Sequence, residues 1–136
     1  MSEKKTIRGA EFLITETAAN DIFIPEEWNE EQKMIAQMCN DFLAAEVHPH
    51  LAAIDKAEDT NLMPSIMDKA GQLGLLGMSV PEELGGMGVD FKTSMLATEA
   101  LGAGYSFSVA YGAHTGIGTL PLLYYGTEEQ KAKYIP

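Results

Sequence analysis

The sequence predicts an all-α fold, a bundle of about six helices. Apolar residues recur at the spacing of one helix face, as at Ile35, Met38, Cys39, Phe42 and Leu43. Residues that start and stop helices recur along the chain. No stretch alternates apolar and polar residues with the two-residue period of a β-strand.

The first helix is predicted to begin at a capping box formed by Asn29 and Gln32, in which each side chain bonds the other residue's backbone N–H. Pro49 lacks an N–H and disfavours helical geometry at His48, so we expect a kink or break there. Leu51 continues the apolar pattern, which indicates that the helix resumes or bends after the proline.

A second helix is predicted from Pro64 to about Leu73, because proline favours the first turn and Gly74 stands just past the end. Its predicted inner face consists of Ile66, Met67, Ala70 and Leu73. The segment 79–88 ends with three glycines in four positions, a density at which no regular element is expected.

Two more helices follow the glycine-rich segment. Asp90 is predicted to cap a third helix over residues 91–101, which the glycines that follow would end. Ser106 or Ser108 is predicted to cap a fourth helix that runs through Ala113.

The last third of the chain predicts two short helices. One runs near Leu120 to Tyr125, and the other begins at a capping box formed by Thr127 and Gln130. We therefore expect a helical domain over residues 26–136, preceded by an N-terminal arm over residues 1–25 whose mixed composition is compatible with disorder.

Charge and composition narrow the classes of partner. The chain has 9 Lys and Arg residues against 20 Asp and Glu residues, a formal net charge of −11. Such an excess repels phosphate backbones, which argues against nucleic acid as a partner. The single cysteine, Cys39, excludes an internal disulfide and fits a reducing compartment. Because we find neither a secretory signal nor an apolar run of roughly 20 residues, we expect no membrane span and a cytoplasmic protein.

Residues with catalytic or ligand-binding chemistry are few. The glycines at 85–88 do not follow the spacing of nucleotide-binding motifs, and Cys39, His48 and His50 lack the spacing of a zinc site. His114 lies among small residues, where it would either orient a ligand or bond backbone groups at a helix end. No catalytic residue and no metal ligand is predicted.

One helical segment is unusually poor in bulky side chains. The residues with small or medium-sized side chains in this segment are Val109, Ala110, Gly112, Ala113, Gly116 and Gly118. Small side chains allow close approach, either by another helix or by an apolar ligand, and the pattern alone leaves both open.

Several motifs together resemble the N-terminal α-helical domain of acyl-CoA dehydrogenases. The resemblance covers about residues 26–136. The matching segments include Leu73-Gly74-Leu75-Leu76-Gly77, Val80-Pro81-Glu82-Glu83, Gly112-Ala113-His114 and Gly126-Thr127-Glu128-Glu129-Gln130-Lys131.

The resemblance implies a flavoenzyme that dehydrogenates a fatty acyl-CoA between its α and β carbons. It implies FAD as cofactor, an electron-transferring flavoprotein as electron acceptor, and a homo-oligomer at full length. The family's flavin domain would begin just after Pro136 and its catalytic glutamate would lie far beyond, so Glu99 is not assigned that role. This chain alone is then expected to be inactive.

Within the family, the Gly-Ala-His motif most resembles the very-long-chain branch. In shorter-chain relatives a larger residue closes the acyl pocket near the position of Ala113. The resemblance therefore implies a long acyl chain, contacted by Val109, Ala110, Ala113 and Ile117. Two alternatives stay open: an acyl-CoA oxidase on the same scaffold, and a non-enzymatic helical interaction module.

Overall fold

The computed structural model describes residues 7–135. All regular elements in this range are helices, and it contains no β-strand. Residues 7–33 belong to one compact unit and residues 34–135 to a second. The described helices form five continuous runs, where the sequence predicts about six. The predicted all-α fold is confirmed.

The N-terminal unit contains three single-turn 3₁₀ helices, at Glu11–Leu13, Ala19–Asp21 and Pro25–Glu27. In each, an acidic side chain accepts a hydrogen bond from a backbone N–H three residues earlier. The rings of Phe23 and Trp28 meet edge to face at 4.6 Å. The predicted boundary between arm and helical domain, at residues 25 and 26, stays a prediction.

The first helical run begins with α1, Glu30–Phe42, and ends with α2, Leu51–Asp55. A π-helical turn, Leu43–Val47, and a 3₁₀ turn, His48–His50, join them. His48 has helical angles, with φ of −57° and ψ of −38°, so the predicted break there was wrong, and the helix changes type without interruption. The predicted capping box at the start of α1 is present, with Asn29 N–H donating to Gln32 at 3.1 Å and Gln32 N–H donating to Asn29 at 2.8 Å.

Helix α3, Leu62–Gln72, confirms the second predicted helix, and Gly74 follows it in the left-handed conformation with φ of 78°. Ile66 and Ala70 are buried on its inner face, and Met67 is partly buried. Leu73 was predicted to lie on the same inner face. This prediction was wrong, because Leu73 ends the helix and its side chain is half-exposed.

The glycine-rich segment holds one 3₁₀ turn, Glu82–Leu84, and is otherwise irregular. Helix α4, Phe91–Leu101, follows it. Asp90 caps this helix by accepting the Thr93 N–H at 2.7 Å, as predicted. A 3₁₀ turn, Gly102–Gly104, ends the run.

A second long uninterrupted run lies in the last third of the chain. It consists of α5, Ser106–Gly112, a π-helical turn, Ala113–Gly118, and α6, Thr119–Tyr125. The prediction that the fourth helix stops at Ala113 was wrong, because the π-helical hydrogen bonds carry the backbone through the glycines. Helix α7, Glu128–Tyr134, begins at the predicted capping box of Thr127 and Gln130.

The prediction of a serine cap for α5 was also wrong. Tyr105 occupies the cap position, and no side chain caps the helix. The Ser106 hydroxyl donates to Asp55 on α2, and the Ser108 hydroxyl donates to the Leu101 carbonyl. Both hydroxyls thus bond residues outside α5.

The core of the second unit is apolar. Its largest fully buried side chains are Phe107, Leu43, Ile66, Leu75, Leu101, Val47 and Cys39. They come from α1 and its π turn, from α3, α4 and α5, and from the turn after α3. None of the described helices is long and apolar enough to cross a membrane.

Candidate functional site

The run 106–125 has one face packed into the core and one face open. Phe107 and Tyr111 are buried on the inner face. The Phe107 ring lies 5.6 Å from that of Phe42, and the Tyr111 hydroxyl donates to the Leu75 carbonyl at 3.2 Å. These contacts on α1 and on the turn after α3 determine which face of the run points outward.

The open face carries the residues predicted to contact an acyl chain. Val109 is 74% exposed and Ile117 is 82% exposed, and Ala113 between them is also exposed. These three residues follow one another at intervals of four, which places them in one stripe. Ala110 lies beside the stripe and is half-buried. We call Val109, Ala113 and Ile117 the outer stripe.

The π-helical turn keeps the outer stripe aligned. Along an α-helix each step of four residues over-rotates by about 40°, so a stripe with that spacing drifts around the axis. The bonds of a π-helix reach one residue further, which widens the turn and reduces the rotation per residue. The step from Ala113 to Ile117 lies in the π turn and therefore counteracts the drift from Val109 to Ala113.

Two glycines of the run are not required by packing inside this chain. Apart from its chain neighbours and the nearby backbone of its own helix, a β-carbon added at Gly112 or at Gly116 would meet no atom of the described structure within 4 Å. A glycine inside a helix costs about 1 kcal/mol relative to alanine. Packing between the described helices therefore does not explain these two residues.

A cavity of about 670 Å³ lies on one side of the run 106–125. It is lined by the glycine-rich segment, the end of α3 and the end of α7, and it is partly open to solvent. The run contributes His114, Gly118, Thr119 and Leu122 to its wall. His114 is exposed and lies within the π turn, so the prediction that it sits at a helix end was wrong.

A second cavity, of about 450 Å³, lies between the run and α4. Its lining includes Gly112, Thr115 and Gly116 from the run and Phe91 and Met95 from α4. No residue of the outer stripe lines either cavity. The stripe is thus a third surface of the run, open to solvent.

The glycine-rich segment is held against the turn after α3 by backbone hydrogen bonds. Met87 N–H donates to Gly77 at 3.0 Å, Gly88 N–H to Val80 at 2.9 Å, and Val89 N–H to Met78 at 3.0 Å. Gly85 and Gly88 adopt φ values of 87° and 62°, which favour glycine. These glycines build tight turns, as their sequence pattern indicates.

The outer stripe is suited to binding and not to proton transfer. Its three side chains are apolar, and Glu99 lies on an exposed position of a different helix, α4. Burial raises the pKa of Cys39 to about 11 and that of Tyr111 to about 12, with the nearby Cys39 adding to the second shift. Both groups are buried in the core. No cluster of three or more metal-ligating side chains occurs among residues 7–135.

Comparison with known proteins identifies the family. Residues 29–136 match the family model described as acyl-CoA dehydrogenase, N-terminal domain. The chain belongs to the acyl-CoA dehydrogenase family. The resemblance inferred from the motifs is confirmed, and the all-α fold is that of the family's N-terminal helical domain.

Two relatives and one solved structure show how similar this acyl-CoA dehydrogenase domain is to known proteins in sequence and in fold. A probable acyl-CoA dehydrogenase of Bacillus subtilis is 43% identical over 129 residues, 95% of this chain and 22% of the relative. The human mitochondrial short-chain specific acyl-CoA dehydrogenase is 36% identical over 116 residues, 84% of this chain and 27% of the relative. The crystal structure of an acyl-CoA dehydrogenase complexed with FAD from Bacillus anthracis has a TM-score of 0.88 and 40% identity over 96% of this chain and 23% of that chain.

The chain therefore spans about a quarter of the length of the acyl-CoA dehydrogenases it matches. Their names do not support the predicted very-long-chain branch, since four of the relatives are named short-chain specific. The acyl-chain contacts predicted at Val109, Ala110, Ala113 and Ile117 stay a prediction.

Sequence reasoning missed Tyr105. This residue has φ of 52° and ψ of −116°, a conformation that a bulky side chain rarely adopts. Tyrosine has no preference for that region, so no local signal identifies the position. Only the structure shows this turn between the end of the α4 run and α5.

Proposed function

We propose that this chain is the N-terminal helical domain of a flavin-dependent acyl-CoA dehydrogenase and that its outer stripe forms one wall of the acyl pocket. The stripe is the observation that carries the proposal. Its apolar side chains stand exposed on a helix whose other face is anchored in the core. Covering apolar surface of this kind with an alkyl chain is favourable by about 25 cal/mol per Å².

FAD enters the proposal through the family and through the solved relative from Bacillus anthracis, which is complexed with FAD. Val109, Ala113 and Ile117 do not fit the phosphates or hydroxyl groups of that cofactor, because their side chains offer neither donors nor acceptors. We therefore assign FAD binding, the catalytic base and the contact with an electron-transferring flavoprotein to the remainder of the full-length protein. The role of this chain is to bind and orient the acyl group.

The substrate we propose is a long-chain acyl-CoA. The small side chain of Ala113 leaves the middle of the outer stripe open, so an acyl chain can extend past it. The alternative, a short acyl chain, is favoured by the names of the mammalian relatives at 32–36% identity. The Bacillus subtilis relative at 43% identity is a longer protein than these, since the matched residues make up 22% of its length and 27–31% of theirs.

The test is a kinetic profile of the full-length enzyme. Acyl-CoA-dependent reduction of an artificial electron acceptor is measured for saturated substrates from butyryl-CoA to eicosanoyl-CoA. Ala113→Glu should shift the preference to shorter chains, because a carboxylate in an apolar channel must be desolvated. Ala132→Glu on α7 is the matched control, since it places the same charge at another exposed helical alanine and should leave the profile unchanged.

Two outcomes would contradict the proposal. If the wild-type enzyme oxidises no acyl-CoA, the assignment of function is wrong. If it oxidises acyl-CoA and Ala113→Glu leaves the chain-length profile unchanged, the outer stripe is not the acyl wall. Measuring hydrogen peroxide in the same assay separates a dehydrogenase from an oxidase.

A further inference from the structure

The Thr119 hydroxyl bonds the backbone across the π-helical turn Ala113–Gly118. It donates to the His114 carbonyl, five residues earlier, at 2.8 Å. The Thr119 N–H donates to the same carbonyl. A threonine in an α-helix instead bonds a carbonyl three or four residues earlier, as Thr98 on α4 does with Ser94 at 2.9 Å. The longer reach of Thr119 matches the wider π spacing, so this residue closes the turn with two bonds.

Pro121 disfavours a regular α-helix at the same place. It is the third residue of α6, and α6 continues the run without a break, so this proline lies inside a helix and not at its start. Proline has no N–H, and in an α-helix its ring clashes with the carbonyl four residues earlier. That carbonyl belongs to Ile117, which lies in the π turn. A wider turn around Ile117 makes room for the ring.

The other π-helical turn within residues 7–135 has the same relation to a proline. That turn spans Leu43–Val47, and Pro49 follows it in the first helical run. The residue four before Pro49 is Ala45, which again lies inside the π turn. Pro64 differs, because it lies in the first turn of α3 and the backbone at 56–61 is not helical. Proline inside a continuous run thus accompanies a π turn in both cases.

The π turn decides where Ile117 points relative to Val109. Phe107 and Tyr111 anchor α5 against the core, so the direction of Val109 and Ala113 is fixed. If an α-helix continued from Val109 to Ile117, two steps of four residues would turn Ile117 by about 80° around the axis. The two side chains would then no longer share one stripe.

We propose that Thr119 and Pro121 are positioning residues for substrate specificity, which hold the π turn and thereby keep Ile117 in the outer stripe. The inference rests on the proposed function and adds how the acyl wall keeps its shape. Neither side chain needs to touch the acyl group. Both act through the direction of Ile117, which determines how much of a long acyl chain the stripe covers.

The test compares variants of the full-length enzyme over the same series of acyl-CoA substrates. Thr119→Val removes the hydroxyl at nearly constant shape, and Pro121→Ala supplies the missing N–H. A crystal structure of the double variant should show the His114 carbonyl bonded by the Gly118 N–H, its α-helical partner, and Ile117 turned out of the stripe.

In the double variant kcat/KM for the longest substrates should fall by about fourfold for each methylene that loses its contact. The value for butyryl-CoA should change least, since it has the shortest acyl chain of the series. Thr119→Ser keeps the hydroxyl and should keep the wild-type profile. Thr98→Val and Pro64→Ala are matched controls, because each removes the same group from a helix that contains no π turn, and neither should alter the profile.

The proposal is overturned if the double variant keeps the π turn. It is also overturned if the turn becomes α-helical and the chain-length profile stays that of the wild type. In that case a shift caused by Ala113→Glu would leave the proposed function intact, and no shift would refute the acyl wall as well. Should the double variant fail to fold, the same two measurements on Thr119→Val decide.

Discussion

The carbonyl oxygen of Val80 lies 2.1 Å from the position that a β-carbon at Gly86 would occupy. Carbon and oxygen atoms cannot approach so closely, and both groups belong to backbone that is hydrogen-bonded on each side. The glycine-rich segment therefore packs against the turn after α3 only because residue 86 has no side chain.

Replacing Gly86 by alanine should lower the free energy of unfolding by about 3 kcal/mol, because the segment must move away from Val80. Gly102→Ala is the control. Position 102 has helical φ and ψ angles and no atom within 4 Å of an added β-carbon, so this change should stabilise the protein by about 0.5 kcal/mol. Urea unfolding followed by circular dichroism measures the stability of both variants. Equal unfolding midpoints for Gly86→Ala and Gly102→Ala would contradict the close packing of Gly86 against Val80.

The cap at Asp90 should make stability depend on pH. Hydrogen bonds from the Thr93 hydroxyl and from the Thr93 N–H hold the pKa of Asp90 below its ordinary value. A depressed folded-state pKa contributes stability above the unfolded-state pKa, and this contribution disappears as the pH falls through the folded-state value. Asp90→Ala should cost about 1 kcal/mol at neutral pH.

Asp90→Asn isolates the charge of the cap, since asparagine still accepts the Thr93 N–H bond but does not titrate. Thermal unfolding of the wild type and of both variants, from neutral pH down to about pH 3, measures the effect. The difference between wild type and Asp90→Asn should shrink as the pH falls. A difference that stays constant over that range would show that Asp90 does not titrate as described.

The ion pair between Lys69 on α3 and Glu46 on the π turn should contribute little to stability. The two side chains are 49% and 32% exposed, so water screens their attraction. A double-mutant cycle with Glu46→Gln and Lys69→Met should give a coupling energy of about 0.5 kcal/mol that vanishes in about 1 M salt. The more exposed and longer pair Lys56–Glu58, at 3.6 Å, should show no measurable coupling.

Cys39 should react with thiol reagents only when the protein unfolds. The side chain is fully buried, and burial raises the pKa of its thiol to about 11, so almost no thiolate forms at neutral pH. The labelling rate should rise with urea in parallel with loss of the circular dichroism signal. Rapid, complete labelling without denaturant would show that the core around α1 is open.

Tyr105→Gly should raise the free energy of unfolding by about 1 kcal/mol, because glycine adopts φ of 52° without steric conflict. Ala57→Gly is a useful comparison, since Ala57 has φ of 50° but a much smaller side chain. Both changes should raise the melting temperature. A loss of stability in Tyr105→Gly would mean that the ring makes contacts that support the fold.

The helices themselves were largely predictable, because the interactions that start and end them are local. Asn29 with Gln32, Thr127 with Gln130, and Asp90 with Thr93 each join residues three apart, so a short stretch of sequence contains both partners. The same holds for Gly74, whose left-handed conformation ends α3. The apolar face of α1 was predictable from its helical spacing.

The candidate site was predictable only in part. The motifs identified the family and singled out Val109, Ala110, Ala113 and Ile117, but the exposure of these residues depends on distant contacts. Ser106 illustrates the limit. Its sequence context favours a helix cap, yet its hydroxyl bonds Asp55, which is 51 positions away and becomes a neighbour only when α2 packs beside α5.

By itself, the sequence determined the helical class, most helix ends, the turns at the glycines and the family, since each depends on residues close together in the chain. The tertiary structure decided which face of the run 106–125 is open, because Phe107 and Tyr111 are anchored by residues from α1 and the turn after α3. It also decided the positive φ of Tyr105, which lies between the tightly packed Gly104 and the bond from Ser106 to Asp55. Contacts between distant segments are stabilised only after the chain has folded, so local sequence carries no signal for them.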